Sequence, residues 1–549
     1  MNPSSRLRYA LILMAALSAL FLLLGFTSAL LTSFTSDETA HVPGGYMIWK
    51  TGDYRINMEH PPLVKLWASF PLLFMNLHAP LDDADWQYGE EWHFGAYFLY
   101  FYNDAATIAM ASRFQMLLLA LILGWAVFLW ARELYGPRGT PALFSGLLAA
   151  ALFFSEPSVI AHSPLVTYDI PFALVVFLTA WVYWKCHVAG FTTRRLLALA
   201  VLLALAPLVK IVGLFLWFLL FAHALFSAFM SRHPWRFAGK TGGAFRMMRR
   251  RGRFALILAL GSVMSIMFFI TLWAVYGFRY QISPGLEVVP GPQAAKFLDF
   301  TPMDPGPARG ALEFIRAKRL MPQGYLAVLG HAFLEKQRGA VLLGHVRYDH
   351  GFYHYFLVTM LLKTPFVHLA VFLAAIIALL KRWAGVLRGR FDRHRREVHR
   401  AMIPLFFAAG FFMIISLSRV NIGHRMILMV HPFLCILAGP WLAGIIRRFS
   451  ADRRALAASC VLLLLFFPAF RNWPHYISYF NPLIQNRRLA VTQLADSNID
   501  WGQDMIFLAR RMEQKGLRKI NLSWFGTADP HYYGIPEWID VGSWTILIA

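Results

Sequence analysis

Residues 9–32 read YALILMAALSALFLLLGFTSALLT, a run of 24 residues that contains no charged side chain. About 20 apolar residues are needed to cross the hydrocarbon core of a bilayer, whereas the apolar part of a cleavable signal peptide has only roughly 7–15. The run therefore predicts a signal anchor that stays in the protein as the first of several membrane spans.

The composition of the whole chain agrees with this interpretation. Of its 549 residues, 58% are hydrophobic and 15% are charged, whereas a soluble chain carries about 25% charged residues. A soluble enzyme is thereby excluded. The formal net charge is +23, which in a membrane protein is typical of a topology signal, so no nucleic-acid partner is needed to explain it. Cys186, Cys435 and Cys460 lie in apolar stretches and predict packing, with no disulfide framework.

Eleven segments are apolar and long enough to be candidate spans. They are residues 9–32, 114–133, 141–157, 170–187, 195–209, 211–230, 254–275, 355–380, 402–418, 426–445 and 455–470. The two segments on either side of Lys210, 195–209 and 211–230, are together preceded and followed by basic residues. They therefore predict a short hairpin with Lys210 at the outer side.

The charges between the spans predict the orientation. The stretches 231–253 and 381–400 are strongly basic, and 33–112 is acidic; basic loops are typically cytoplasmic. Eleven spans with the N-terminus inside satisfy all three and leave residues 471–549 outside. The sequence thus predicts an all-α polytopic membrane protein with about 11 transmembrane helices, N-terminus in and C-terminus out.

Two domains are expected. Residues 1–470 form the transmembrane domain, with large outer loops at 33–112 and 276–353. In the first loop, residues 61–76 are apolar but too short and interrupted to span, which predicts an interfacial helix.

Residues 471–549 are predicted to form a small C-terminal α/β domain outside the membrane. A helical periodicity around 502–515 and a strand-like pattern over 519–525 support it.

Ionisable side chains at membrane depth are costly and are usually kept for a function. In this chain they gather at the predicted outer ends of the spans. These residues are Asp37, Glu38, His60, Lys65, Arg113, Asp169, Lys210, Lys363, His424 and Arg425. Ionisable residues without a common role would be expected at both faces of the membrane. Because these residues gather at one face, we predict that they share one site at the outer face.

The chemistry of this set favours transfer from a lipid-linked phosphate. Acids such as Asp37, Glu38 and Asp169 deprotonate an acceptor or hold a divalent cation. Cations neutralise a phosphate or diphosphate leaving group in a low-dielectric site. The candidates for binding the donor phosphate or its lipid are His60, Lys65, Arg113, Lys210, Lys363, His424 and Arg425. The apolar surroundings suit a lipid tail.

Six motifs follow one another between residues 33 and 535. They are Ser36-Asp37-Glu38, Glu59-His60-Pro61-Pro62-Leu63-Val64-Lys65, Thr167-Tyr168-Asp169-Ile170-Pro171, Lys363-Thr364-Pro365, Asn421-Ile422-Gly423-His424-Arg425 and the run DSNIDWGQD at 496–504. Together they resemble the GT-C glycosyltransferases of the protein O-mannosyltransferase and aminoarabinose-transferase type, in the bacterial phospholipid-carrier-dependent form. The last run is absent from the eukaryotic O-mannosyltransferases, so the acceptor cannot be carried over from them.

The resemblance implies a polyprenyl-phosphate-sugar donor, an inverting transfer and an active site in an extracytoplasmic cavity. It implies Asp37 as the candidate base and Asp169 as a second acid. It also implies His60, Lys65 and Arg425 as ligands of the donor phosphate.

Each candidate also has an ordinary structural interpretation. Asp169 suits a helix N-cap, Lys363 suits a side chain that reaches the headgroups, and His424 with Arg425 suits an interfacial anchor. The run at 500–504 either begins a helix or contacts the acceptor. The acceptor-side candidates are therefore Asp500, Trp501, Gln503 and Asp504.

No cofactor is assigned. The spacing of His41, Glu59 and His60 matches no zinc motif, although a divalent cation stays open as an alternative. No Gly-rich phosphate loop is present, which argues against a soluble nucleotide-sugar donor.

The competing functional class is a transporter or flippase of polyprenyl-linked sugars. Transporters often carry inverted repeats and midplane polar residues, and neither is evident here. The expected location is a bacterial inner membrane, with the site facing the periplasm or exterior. The sugar, the acceptor (protein, glycolipid or envelope polymer), the polyprenyl length and the oligomeric state are not determined by the sequence.

Overall fold

Long apolar helices account for most of the computed structural model. It describes residues 3–134, 140–230, 235–238, 245–285, 292–334, 339–348, 351–389, 395–418 and 420–542. Parts of the two predicted cytoplasmic stretches, 231–234, 239–244 and 390–394, lie outside the described residues.

The helices before residue 280 include most of the candidate spans. They are α1 (Pro3–Leu31), α2 (Ser36–Thr51), α3 (Leu63–Ser69), α4 (Ala84–Tyr88), α5 (Glu91–Ala96), α6 (Ala105–Leu134), α7 (Thr140–Phe154), α8 (Pro157–His162), α9 (Asp169–Ala189), α10 (Thr193–Val209), α11 (Gly213–Met230) and α12 (Arg250–Val275). A short antiparallel hairpin, β1 (Arg236–Ala238) and β2 (Phe245–Met247), precedes α12.

The second half alternates short outer elements with further long helices. They are α13 (Pro292–Leu298), α14 (Pro307–Ala317), α15 (Gln323–Leu334), the antiparallel pair β3 (Ala340–Leu342) and β4 (His345–Arg347), α16 (Tyr355–Lys363), α17 (Phe366–Leu387), α18 (Arg395–Ser416), α19 (His431–Ile446), α20 (Ala451–Asn472), α21 (Ala490–Gln493), α22 (Met505–Gln514), β5 (Lys519–Leu522) and β6 (Glu537–Asp540).

The protein is a multi-pass all-α membrane protein, as predicted. Within the described residues, nine helices are long and apolar enough to cross a membrane, and the segment Pro141–Phe154 forms a shorter apolar helix. Each of the eleven predicted segments contains helix. The count of eleven and the orientation stay predictions.

The bounds predicted for the eighth span were wrong. Residues 355–380 do not form one helix, because the chain is extended at Thr364 and Pro365 between α16 and α17. A residue that precedes proline is pushed out of the helical region, and proline has no N–H to continue the ladder. The apolar helix long enough to span therefore begins at Phe366 and continues to Leu387.

The first outer loop begins with a helix that the sequence interpretation missed. Thr35 is extended, and the Glu38 carboxylate accepts hydrogen bonds from the Thr35 backbone N–H and hydroxyl, each at 3.0 Å. This capping arrangement begins α2. The predicted interfacial helix is present as α3 and a following 3₁₀ turn that ends at Phe74.

The end of the chain has the predicted α/β elements. α22 lies within the predicted helical stretch, and β5 pairs in parallel with β6, with Lys519 opposite Glu537. The run 496–504 attaches this region to the α1–α2 connection, because the Ser36 N–H donates to the Trp501 carbonyl at 2.8 Å.

The two ends of the helix bundle differ in charge. Arg113 lies near the start of α6 and Arg132 near its end, and 19 residues at 1.5 Å per residue separate them by about 28 Å. At the Arg132 end, a cavity of about 530 Å³ is also lined by Arg382, Arg447 and Arg448. This grouping agrees with a cytoplasmic side at that end.

Close backbone packing of α2 on α3 depends on a glycine. A Cβ atom at Gly45 would lie 2.3 Å from the Lys65 carbonyl oxygen and 2.6 Å from the Ser69 hydroxyl. We expect Gly45→Ala to lower the free energy of unfolding by about 1–3 kcal/mol, because α3 must move away. Thermal unfolding in detergent measures this.

The matched control is Gly444→Ala, because a Cβ atom at Gly444 meets nothing within 4 Å. It should leave the unfolding temperature unchanged or slightly higher. Equal effects of the two substitutions would contradict the importance of the close approach.

Candidate active site

Four charged side chains from four separate segments form a continuous chain. Arg425 donates from Nη1 to Asp37 Oδ2 at 2.9 Å, and the same nitrogen lies 3.9 Å from Asp169 Oδ2. The other Asp169 oxygen accepts from Lys210 Nζ at 2.7 Å. The two acids expected to share a pocket are therefore linked by one guanidinium. We call Asp37, Arg425, Asp169 and Lys210 the charged chain.

Helix ends place these residues. Asp37 lies in the first turn of α2, and Asp169 begins α9. Lys210 is the extended residue that ends α10. Arg425 follows Gly423, whose φ is 143° and whose Cβ, if present, would lie 2.5 Å from the Ser497 hydroxyl. Only glycine fits there, and this tight approach fixes the path of the chain into Arg425.

Trp501 covers the guanidinium of Arg425. The centre of its ring lies 4.0 Å from the guanidinium carbon, and Trp501 is fully buried. A cation over an indole face is stabilised without losing its hydrogen-bond donors. Trp501 therefore orients Arg425, and Asp37 is the more exposed end of the charged chain, with 24% of its side chain accessible.

An aromatic cluster lies beside the acids. The rings of His60 and Tyr168 are 4.3 Å apart, His41 is 4.9 Å from Tyr168, and His41 Nδ1 contacts the Val166 carbonyl at 2.7 Å. Burial lowers the pKa of His41 to about 4 and that of His60 well below its ordinary value. Both imidazoles are therefore neutral at neutral pH and offer hydrogen bonds.

Several buried polar atoms around this cluster have no hydrogen-bond partner within the described part of the chain. They are His60 Nδ1, Thr167 Oγ1, Tyr168 Oη and Arg425 Nε. Nearly all buried polar groups in folded proteins are hydrogen-bonded, so such a group of exceptions marks a place for a polar ligand or water.

Glu38 and Arg113 pair with each other and not with the charged chain. Both are 0% exposed, and two hydrogen bonds of 2.7 and 3.0 Å join them. Arg113 also donates to the carbonyls of Ala29 and Ser33. Burial alone would raise the pKa of Glu38, but the charge and hydrogen bonds of Arg113 outweigh it and lower that pKa.

Two of the three predicted lysine ligands donate hydrogen bonds to backbone carbonyls. Lys65 Nζ donates to the Asn57 carbonyl, and Lys363 Nζ donates to the Ile477 and Asn498 carbonyls at 2.7 and 2.6 Å. Each is 2% exposed. Burial lowers the pKa of Lys65 to about 7.

The other acceptor-side candidates bond mostly within their own turn. Asp500 accepts from the N–H groups of Gly502 and Phe525 at 2.9 and 3.2 Å, and burial raises its pKa. Gln503 donates to the Ile499 carbonyl and to Asp504. Asp504 is half-buried, and its Oδ1 lies 3.5 Å from His475 Nδ1.

His424 also points away from the acids. Its backbone N–H donates to Asn498 Oδ1 at 3.0 Å, and its Nε2 lies 3.4 Å from His431 Nε2. Together with Glu156 these two histidines form the one group within the described residues whose ligand atoms lie close enough to hold a metal.

The structure thus brings together Asp37, Asp169, Lys210 and Arg425, with His60 and Trp501 beside them. The sequence interpretation assigned no role to His41, which lies against Tyr168. The signal was available, because Asp37 and His41 are four residues apart and residues at that spacing share a helix face.

Comparisons with known proteins return no match among protein-family models and none among curated proteins. Among solved structures, the chain is similar to ArnT from Cupriavidus metallidurans bound to undecaprenyl phosphate, with 15% identity, a TM-score of 0.43, and coverage of 97% of this chain and 87% of ArnT. For ArnT in the apo state the identity is 16% and the TM-score is 0.46, over 97% and 86% of the two chains.

It is also similar to the oligosaccharyltransferase AglB from Archaeoglobus fulgidus in complex with an inhibitory peptide and a dolichol-phosphate. The identity is 13%, the TM-score is 0.45, and the match covers 86% of this chain but only 56% of AglB.

The Glu38–Arg113 pair should be essential to the fold. Glu38→Gln leaves a buried guanidinium without its counter-charge, which costs about 3–5 kcal/mol. We expect a large drop in the thermal unfolding temperature. The control is Glu313→Gln in the exposed Arg309–Glu313 pair, which should change stability by about 0.5 kcal/mol or less. A similar small effect of both substitutions would contradict this role.

Lys65 should make stability depend on pH. Between pH 7 and about 10.4, the usual lysine pKa, the unfolded chain holds one more proton at this side chain than the folded protein, so its contribution to the free energy of unfolding rises with pH. The slope is up to ~1.4 kcal/mol per pH unit. Lys65→Met should flatten the rise measured at pH 7, 8 and 9, whereas substituting the exposed Lys50 should not. Parallel curves for the wild type and Lys65→Met would refute the assignment.

Proposed function

We propose that this protein is a membrane glycosyltransferase that moves a sugar from a polyprenyl-phosphate-linked donor to an acceptor at the extracytoplasmic face, with inversion at C1. The observation that carries the proposal is the charged chain. In it, the partly exposed carboxylate of Asp37 accepts a hydrogen bond from the Arg425 guanidinium. The same guanidinium also forms an ion pair with the buried Asp169.

Buried hydrogen-bond donors without partners, and not the net charge, favour an anionic donor. The two acids and two cations of the charged chain cancel, so the ion pairs are stable without a ligand. The neighbouring buried atoms that have no partner include the donor Arg425 Nε and the hydroxyl of Tyr168. Phosphate oxygens would satisfy such donors with charge-assisted bonds. The exposed apolar side chains of Trp67, Phe70 and Phe74 on the first loop suit the lipid tail.

The chemical step then follows from the positions of the groups. Asp37 accepts the proton of the acceptor O–H or N–H as the acceptor atom attacks C1 of the sugar from the side opposite the phosphate. The bond between C1 and the phosphate oxygen breaks, and its electron pair stays on that oxygen. Arg425 and Lys210 stabilise the resulting phosphate charge.

Arg425 also links donor binding to the strength of the base. While Arg425 donates to Asp37, it stabilises the carboxylate and makes it a weak base. A donor phosphate that draws the guanidinium toward itself loosens this bond. Asp37 is then most basic when the donor is bound, which limits proton transfer to the loaded site.

The other predicted ligands take supporting roles in this proposal. Glu38 with Arg113, Lys65 and Lys363 hold backbone segments around the site, and Trp501 orients Arg425. Asp500, Gln503 and Asp504 hold the turn that carries Trp501. The site opens to the periplasm or exterior of a bacterial inner membrane, and the acceptor is a protein, a glycolipid or an envelope polymer.

Asp37→Asn should abolish transfer while leaving donor binding intact. The test uses purified protein in liposomes, undecaprenyl-phosphate sugars carrying a labelled monosaccharide, and a bacterial envelope extract as the acceptor source. We expect the rate at which label is lost from undecaprenyl phosphate, followed by chromatography of the lipid-linked donor, to fall by at least about 100-fold. The exposed loop acid Asp82 provides the control, and Asp82→Asn should transfer at the wild-type rate.

Donor binding is measured separately with undecaprenyl phosphate alone. Arg425→Met should raise its Kd at least about tenfold, Arg132→Met at the opposite end should not, and Asp37→Asn should bind it within about threefold. Wild-type transfer by Asp37→Asn would refute the base assignment. Label that crosses the bilayer while still attached to its lipid would identify a transporter and overturn the proposal.

A further inference from the structure

A second group of ionisable side chains lies inside the protein, apart from the charged chain. Glu156 is the residue before α8, His424 lies in the turn before α19, and His431 is the first residue of α19. They are 1%, 2% and 1% exposed. One ligand atom from each lies within 4.8 Å of the others.

The two imidazoles face each other at a distance that suits a shared metal ion. His424 Nε2 and His431 Nε2 are 3.4 Å apart, which is longer than the length of about 2.9–3.0 Å that is typical of an N–H···O hydrogen bond. Two nitrogens that each lie about 2.0–2.1 Å from a tetrahedral zinc ion are separated by about 3.3 Å. The observed spacing is therefore that of two ligands of one ion.

Glu156 contributes a carboxylate to the group, and one of its oxygens is not hydrogen-bonded within the described residues. Its Oε2 accepts the Val159 N–H at 2.7 Å and caps α8. Its Oε1 is buried and has no hydrogen-bond partner within the described residues. A buried carboxylate oxygen without a partner is costly, and a cation bound there would satisfy it.

The surroundings hold His424 in position. The Thr359 hydroxyl lies 3.5 Å from its Nδ1, and Asn498 fixes its backbone N–H. Metal-binding histidines commonly use their second ring nitrogen in such a contact, which fixes the orientation of the ring. Lys363 is close enough to act on Glu156 electrostatically, but its ammonium donates to two carbonyls and is not a ligand.

We propose that Glu156, His424 and His431 form a zinc site. Two imidazoles and one carboxylate are a ligand set that zinc accepts, with a water in the fourth position. His424 is adjacent to Arg425, so the ion would fasten the segment that carries Arg425 to the start of α8. The site is structural, and the proposal does not depend on the transferase activity.

Metal content of the full-length protein in detergent tests the proposal. The protein is stripped with a chelator, re-supplied with Zn²⁺ and analysed by elemental mass spectrometry. We expect Glu156→Gln and His431→Ala each to hold one zinc fewer per chain than the wild type. The control is His187→Gln, at a buried histidine packed against Tyr183, which should hold as much zinc as the wild type.

Two further measurements keep the test decisive. Zn²⁺ should raise the thermal unfolding temperature of the wild type but not of Glu156→Gln, which preserves the shape of the side chain if His431→Ala fails to fold. Co²⁺ in place of Zn²⁺ should give visible absorption bands that Glu156→Gln lacks. Equal zinc content in the wild type and Glu156→Gln, or no bound zinc in the wild type, would overturn the proposal.

Discussion

The ion pair between Glu38 and Arg113 holds the connection between α1 and α2 against α6. A carboxylate and a guanidinium without access to water remain charged only if each satisfies the other, and here both are 0% exposed. The pair joins α6 to the start of α2 and, through Arg113, to the carbonyls at the end of α1. It also fixes the rotation of α2. Successive helical residues point about 100° apart, so Asp37 is directed elsewhere, toward Arg425.

Two adjacent acids with similar chemistry thus acquire different surroundings. The sequence predicted that both belong to one site, and it contained a signal that separates them. Thr35 followed by Glu38 three residues later is the pattern of a capping box, which indicates that Glu38 turns back toward the helix start. Asp37 carries no such signal. Its pairing with Arg425, 388 residues away in the chain, depends on tertiary structure and is not predictable from local pattern.

Apolar runs and the distribution of charge were sufficient to predict a polytopic helical membrane protein. They were not sufficient to say which cations stay available to a ligand. Lys65 and Lys363 have the charge and position expected of phosphate ligands, yet their ammonium groups meet carbonyls from residues 57, 477 and 498. Such contacts follow from loop paths that have no periodicity. The helix break at Thr364-Pro365 could have been predicted from the sequence, because a residue that precedes proline is disfavoured in the helical conformation.

The charged chain is assembled from segments spread along nearly the whole polypeptide. Asp169 and its partner Lys210 are 41 residues apart in the chain. Asp37 and its partner Arg425 are 388 residues apart, and Trp501, which covers Arg425, lies still later in the chain. The charged chain is therefore complete only when the segment that carries Trp501 lies on the α1–α2 connection, where the Ser36 N–H donates to the Trp501 carbonyl. A chain that ends before residue 425 therefore cannot form the complete charged chain.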